Sequence, residues 1–67
     1  MENKISKLYI ADVKLNEKDK VYNPALIVEN RHGVLIVFEN LFVTSYFPDE
    51  PVTAIIKNKI YIKDVSL

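Results

Sequence analysis

The chain has 67 residues, the length of one small domain, and its nine lysine and arginine residues balance nine aspartate and glutamate residues. A net charge of zero gives no overall attraction for nucleic acid and excludes an acidic mimic of nucleic acid. Cysteine is absent, so disulfides and thiolate metal sites are excluded, and no cofactor or metal is expected. A chain this short buries only about 60% of the surface that its unfolded form exposes, so its own core provides little stability. Its 49% hydrophobic content therefore favours a homodimer, in which two copies cover each other's apolar surface.

The first residues, MENKISKLYIAD, contain no long apolar segment, and charged residues are spread through them. This pattern argues against a signal peptide. The longest apolar run, residues 34–38, is far shorter than the ~18 residues of a membrane-spanning helix. The sequence therefore predicts a cytoplasmic protein with no membrane partner.

The first predicted strand covers residues 7–13, which are rich in β-forming side chains and bounded by polar ones. Because side chains alternate along a strand, Leu8 and Ile10 are expected on one face of the sheet. Tyr9, Ala11 and Val13 are then expected on the other face. The charged residues that follow, 16–20, are too few to form a stable helix alone and are predicted to form an exposed loop.

The next strand is predicted over residues 25–29, where four consecutive apolar residues indicate apolar contacts on both faces or a partner on one. Pro24 suits the first position of this strand, since it lacks the N–H group that a paired interior requires. Residues 30–33 are predicted to form a hairpin turn, in which Gly33 supplies a positive φ. Residues 34–38 form the third predicted strand and the expected centre of the sheet.

The second half of the chain continues the β pattern. A strand is predicted over residues 41–46, either as a new element or after a bulge. Residues 47–51 are predicted to form a loop, because they contain two prolines, which lack the N–H group that a paired strand interior requires. Residues 52–56 are then predicted to form a strand, residues 57–59 a turn, and residues 60–65 the returning strand.

Together these elements predict one all-β domain over residues 1–67, with five or six short antiparallel strands. A small antiparallel sheet has to protect its edges, and curling into a barrel removes them. A five-stranded SH3-like barrel is the expected architecture. The alternative is an open, strongly curved sheet that pairs with a second copy.

Three phrases occur in a recognisable order: KLYIADVKL, then NPALIVEN after a charged loop, and finally FVTSYFP. Their order and spacing resemble the MazF/PemK family of toxin endoribonucleases over roughly residues 6–48. The resemblance implies an SH3-like barrel core and metal-free cleavage of single-stranded RNA.

The resemblance also implies roles for individual positions. In the family an arginine precedes the proline of the second phrase and acts in proton transfer and charge stabilisation, with the threonine of a later Thr-Ser pair assisting. Here the proline is Pro24 and the pair is Thr44 and Ser45, but Asn23 occupies the arginine position. A neutral amide cannot stabilise a developing negative charge as a guanidinium does.

Without that arginine, the sequence favours a protein that is not an enzyme. If the chain does cleave RNA, the candidate catalytic residues are Thr44 and Ser45, with Lys20 supplying a positive charge near the site. Arg31, the only arginine, lies about 23 Å from Asn23 along a fully extended strand, which is too far to substitute.

Side chains near these positions form a candidate binding surface, which consists of Tyr22, Asn23, Phe42, Tyr46 and Phe47. The favoured function is a non-catalytic protein-interaction module that uses aromatic anchors and sheet-edge pairing. Its specific form is a small phage or mobile-element protein that inhibits a host defence or nuclease protein.

Two alternatives involve RNA. The first is a minimal MazF-like ribonuclease. The second is a single-stranded nucleic-acid-binding barrel, in which aromatic residues stack on bases and lysines contact phosphates. Lys57, Lys59 and Lys63 are candidates for the phosphate contacts, although lysines at such positions also protect edge strands from aggregation.

Overall fold

The computed structural model describes residues 5–66, and the side chains of residues 6–62. The chain forms one antiparallel sheet of five strands: β1 (Ile5–Lys14), β2 (Asn23–Asn30), β3 (Gly33–Phe38), β4 (Val43–Tyr46) and β5 (Ile55–Ser66). The order across the sheet is β4-β3-β2-β1-β5, so the last strand returns to pair with the first. The described residues contain no helix, and thus none long and apolar enough to cross a membrane. The all-β prediction is confirmed.

The sheet is open and is not closed into a barrel. Its edges, β4 and β5, do not pair with each other. β4 has only four residues, and residues 47–54 connect it to β5. Near that segment the Tyr46 Oη and Thr53 Oγ1 atoms are 3.4 Å apart and share a hydrogen bond. Of the two predicted architectures, the open sheet is therefore the one that forms.

The core lies on one side of the sheet, which we call the inner face. Its buried side chains are Tyr9, Ala11, Val13, Ala25, Ile27, Ile36 and Phe38. Tyr9, Ile27 and Ile36 lie side by side across β1, β2 and β3. Ala54 and Ile56, which lead into and begin β5, also pack against this core. The predicted assignment of β1 side chains to two faces is confirmed.

The opposite side of the sheet, the outer face, is also apolar but stays in contact with solvent. Its members are Leu8, Ile10, Leu26, Val28, Leu35, Val37, Val43 and Ile60. All eight side chains are partly or largely exposed. The consecutive apolar residues of β2 thus serve both faces, with Ile27 inside and Leu26 and Val28 outside.

Two predicted features of the first four strands are confirmed and two are wrong. The tight turn after β2 leads into Gly33, the first residue of β3, which has the expected positive φ (126°), and residues 16–20 do form an exposed loop. The centre of the sheet, however, is β2 and not residues 34–38, because β5 adds a strand on the β1 side. The fourth strand begins at Val43, since Leu41 and Phe42 belong to the preceding turn.

The predicted hairpin at residues 57–59 is wrong, because one long strand, β5, runs through it. Asn58 takes a left-handed φ of 57°, and the extra residue is accommodated as a bulge opposite Ile10 and Asp12. The Asn58 Nδ2 group donates a hydrogen bond of 2.9 Å to the Asp12 Oδ2 atom, which fixes the bulge to β1. Residues 52–54 are loop, and the lysines at 57, 59 and 63 all lie on an edge strand.

Candidate functional site

An open cleft of about 380 Å³ lies where β1 ends, β2 begins and β3 ends. We call it the end cleft. Its lining includes Lys14, Asp19, Asn23, Phe38, Asn40 and Phe42. A cleft of this size is at the lower end of the range for ligand pockets and can hold one or two side chains of a partner. The Asn23-Pro24 pair that the sequence singled out lies in its wall.

The turn between β3 and β4 forms one wall of the end cleft. The Phe38 N–H group donates to the Phe42 carbonyl at 2.8 Å, and the Leu41 N–H group donates to the Phe38 carbonyl at 2.9 Å. The Asn40 Oδ1 atom accepts a further hydrogen bond of 3.1 Å from the Phe42 N–H group. These three bonds hold Leu41 in the left-handed region at a φ of 67°, where a non-glycine residue is uncommon.

This turn presents two apolar side chains to solvent in different directions. The Phe42 ring packs against the Phe38 ring at a centroid distance of 5.7 Å, yet half of the Phe42 side chain remains exposed. Leu41 is 81% exposed and borders a groove on the outer face. Phe42 is therefore an aromatic anchor held in place within the end cleft.

The predicted binding surface is divided between the two ends of the sheet. Asn23 and Phe42 line the end cleft, and Tyr22 adjoins Asn23 in sequence. Tyr46 pairs with Val34 at the opposite end of the sheet, and Phe47 follows it. The five residues thus form two separate groups and no single surface.

The residues proposed for catalysis are also apart. Thr44 pairs with Ile36, which in turn pairs with Ile27 of β2. Asn23 lies four residues before Ile27, at the start of β2. The positions of Thr44 and Asn23 are about 16 Å apart along the sheet, from strand spacing and rise per residue. Ser45 is exposed on β4, and Lys20 is an exposed loop residue. The lining of the end cleft contains none of Thr44, Ser45 and Lys20.

A second polar feature, the lysine–tyrosine patch, lies where β5 pairs with β1. The Lys14 and Lys57 ammonium groups lie 5.0 Å and 4.0 Å from the centre of the Tyr22 ring. The Lys59 ammonium group lies 5.3 Å from the centre of the Tyr9 ring, which in turn packs against the Tyr61 ring at 4.9 Å. Cations over aromatic faces are attracted by the ring quadrupole, so these contacts order the lysine side chains.

Tyr9 belongs to both the core and the lysine–tyrosine patch. Burial, the Glu29 carboxylate and Tyr61 raise the pKa of Tyr9 from 10.0 to about 12. The folded state therefore favours the neutral phenol more than the unfolded state does. The stabilisation from this preference is fully present below pH 10 and is lost as the pH rises through 12.

We expect the free energy of unfolding of the wild type to fall more steeply between pH 10 and pH 12 than that of Tyr9→Phe. Phenylalanine cannot ionise, so the variant lacks this contribution to the pH dependence. Urea unfolding followed by circular dichroism at several pH values measures both curves. Parallel curves for the two proteins would contradict a raised pKa at Tyr9.

The sequence indicated Asn23 and Phe42 but missed most of the end cleft. Asn40 was not singled out, although an asparagine between two apolar runs is a common signal for a tight turn. No local pattern links Tyr22 with Lys57, since the two residues are brought together only when β5 pairs with β1. The described residues hold no group of three or more side chains suited to bind a metal ion.

Comparison with known proteins adds no assignment: the chain matches no protein-family model, no curated protein and no solved structure.

Proposed function

We propose that this chain is a non-catalytic protein-interaction module that binds a partner protein at the end cleft. The observation that carries the proposal is Phe42, a half-exposed aromatic side chain fixed by a hydrogen-bonded turn beside an open cleft. Aromatic anchors in small pockets dominate the binding energy of many protein interfaces. Asn23, Asn40 and Lys14 supply hydrogen-bonding groups around the anchor.

The positions of the catalytic candidates support binding over cleavage. The family that the chain resembles uses an arginine and a threonine together, but here Asn23 and Thr44 lie two strands apart. Asn23 faces the end cleft without a guanidinium group, and Thr44 lies in another part of the sheet. In its specific form, the proposal is a small inhibitor or regulator of a nuclease or defence protein.

A second candidate function is binding of single-stranded nucleic acid. The lysine–tyrosine patch favours it, because Lys14 and Lys57 lie over the Tyr22 ring and Lys59 lies over the Tyr9 ring, in two clusters along the β1–β5 pair. Such a site would contact phosphates through Lys57 and Lys59 and stack a base on Tyr61, which is largely exposed. Two features count against it: the chain has no net charge, and the Tyr22 and Tyr9 rings already contact the lysines.

The test compares two exposed phenylalanines at opposite ends of the sheet. Tagged wild type, Phe42→Ser and Phe47→Ser are used to capture proteins from an extract of the native host, and the captured proteins are identified by mass spectrometry. We expect one stoichiometric protein with the wild type and with Phe47→Ser. Recovery with Phe42→Ser is expected to fall at least about tenfold, the loss typical of an interface hot spot.

Other outcomes would replace the proposal. Equal capture by Phe42→Ser and wild type would remove the end cleft from the interaction. Capture of RNA that is lost at higher salt would favour the lysine–tyrosine patch. RNA cleavage by the wild type that disappears in Thr44→Ala would establish the ribonuclease alternative.

A further inference from the structure

The outer face is apolar across the full width of the sheet. One row of aligned residues crosses all five strands and consists of Ile60, Ile10, Leu26, Val37 and Val43. The next row adds Leu8, Val28 and Leu35 on the three central strands. Neither row contains a charged residue on the four strands β1 to β4. This pattern is that of a sheet face buried inside a β-sandwich.

The exposed area of this face is large for so small a chain. Five of its eight side chains are at least 38% exposed, and the fraction reaches 68% at Ile60. An apolar patch of more than a few hundred Å² on a soluble protein usually marks an interaction site. A standard protein interface buries about 800 Å² per partner, and this face extends across all five strands.

The border of the outer face is polar at both ends of the strands. Asp12 and its bonded partner Asn58 lie at one end. At the other end the half-buried Asn30 side chain donates a hydrogen bond of 3.0 Å to Ser6, which is itself buried. An apolar centre within a polar rim is the arrangement found in protein interfaces. A shallow, open groove between Leu26, Val37 and Leu41 continues the apolar surface toward the end cleft.

We propose that the occupant of the outer face is a second copy of this chain, so that two sheets pack face to face as a β-sandwich homodimer. On the three central strands both rows are aliphatic, and the second row ends on Ser45 of β4 and Lys63 of β5. Homodimer interfaces are more apolar than those between transient partners. The chain has a net charge of zero, so two copies do not repel each other. Among the residues whose side chains the structure describes, seven apolar side chains are buried in the inner core, and dimerisation would add a second apolar layer on the other side of the same sheet.

The outer face adjoins the end cleft through Pro24, Phe38 and Glu39, but Phe42 lines only the cleft and Leu26 lines only the groove of the outer face, so the two surfaces can be tested separately. The experiment measures the mass of the wild type, Leu26→Lys and Val21→Lys by sedimentation velocity over a range of concentrations. Leu26 lies at the centre of the outer face, whereas Val21 is a 67% exposed aliphatic residue in the loop before β2. We expect the wild type and Val21→Lys to have twice the 7.8 kDa mass of one chain. Leu26→Lys is expected to be a monomer, with a dissociation constant raised at least about 100-fold.

A second experiment uses only the wild type, so its result does not depend on whether Leu26→Lys folds. In a mixture of isotopically labelled and unlabelled wild type, contacts between copies should appear at the methyl groups of Leu26 and Val37. A monomeric wild type at 100 µM or so would overturn the proposal. A dimer that persists in folded Leu26→Lys would also overturn it. So would a monomer that captures another protein through Leu26, because the face would then belong to a different partner.

Discussion

Replacing Ile27 with alanine is expected to remove a large part of the free energy of unfolding at 25 °C. Ile27 is fully buried at the centre of β2, the central strand, between Tyr9 of β1 and Ile36 of β3. Removing a buried isoleucine side chain typically costs about 2–5 kcal/mol, through lost transfer energy and the cavity that remains. A domain of this length has a total stability of roughly 3–10 kcal/mol, so the loss is a large part of it.

Val21→Ala is the matched control for Ile27→Ala, because it also shortens a β-branched residue but at a position largely exposed to solvent. Urea unfolding followed by circular dichroism and tyrosine fluorescence measures the change in the free energy of unfolding. We expect a change within about 0.5 kcal/mol for the control. A loss below about 1 kcal/mol for Ile27→Ala would show that the inner face is not the core of the fold.

Gly33→Ala is expected to destabilise the chain by about 2 kcal/mol or more, for two reasons. Gly33 has a φ of 126°, a conformation that residues with a Cβ atom rarely adopt. In addition, a Cβ atom on Gly33 would overlap the carbonyl oxygen of Tyr46. That oxygen belongs to the backbone of β4, where Tyr46 pairs with Val34, so it cannot move without disturbing the edge strand.

His32→Ala, in the same turn, is the control for Gly33→Ala, since the His32 side chain is exposed. A loss of 2 kcal/mol corresponds to a decrease in the melting temperature of about 10 °C for a domain of this size. Thermal unfolding of the two variants and the wild type measures the difference. A melting temperature for Gly33→Ala equal to that of His32→Ala would contradict the close approach between the turn and β4.

The sequence was sufficient to predict the fold class and most strands of this chain, because the pattern along each strand reflects the face that it buries. Tyr9, Ala11 and Val13 alternate with Leu8 and Ile10, and the sheet divides them as the alternation predicts. The hairpin at residues 57–59 was wrong because Lys57, Asn58 and Lys59 are typical turn residues. Their pairing with β1 decides instead that Asn58 forms a bulge, and that pairing is not encoded locally.

The candidate site was only partly predictable, for the same physical reason. Asn23 and Phe42 stood out from their neighbours in sequence, and the structure brings both to the end cleft. Tyr46 and Phe47 also flank a loop, but the direction of β4 carries them to the other end of the sheet. Which loops meet is decided by strand order, and the neighbouring residues alone do not specify that order.

The pairing of the last strand with the first has a consequence for how the protein reaches its folded state. β1 to β4 can form through successive hairpins, each closed by a short connection. Pairing Lys14 with Ile55 instead closes about 40 residues of chain, at an entropic cost of about 3 kcal/mol. We therefore expect the addition of β5 to be a slow, non-local step, before which β1 is an open edge of the sheet. During synthesis on the ribosome, this sheet cannot be complete before its final strand has emerged.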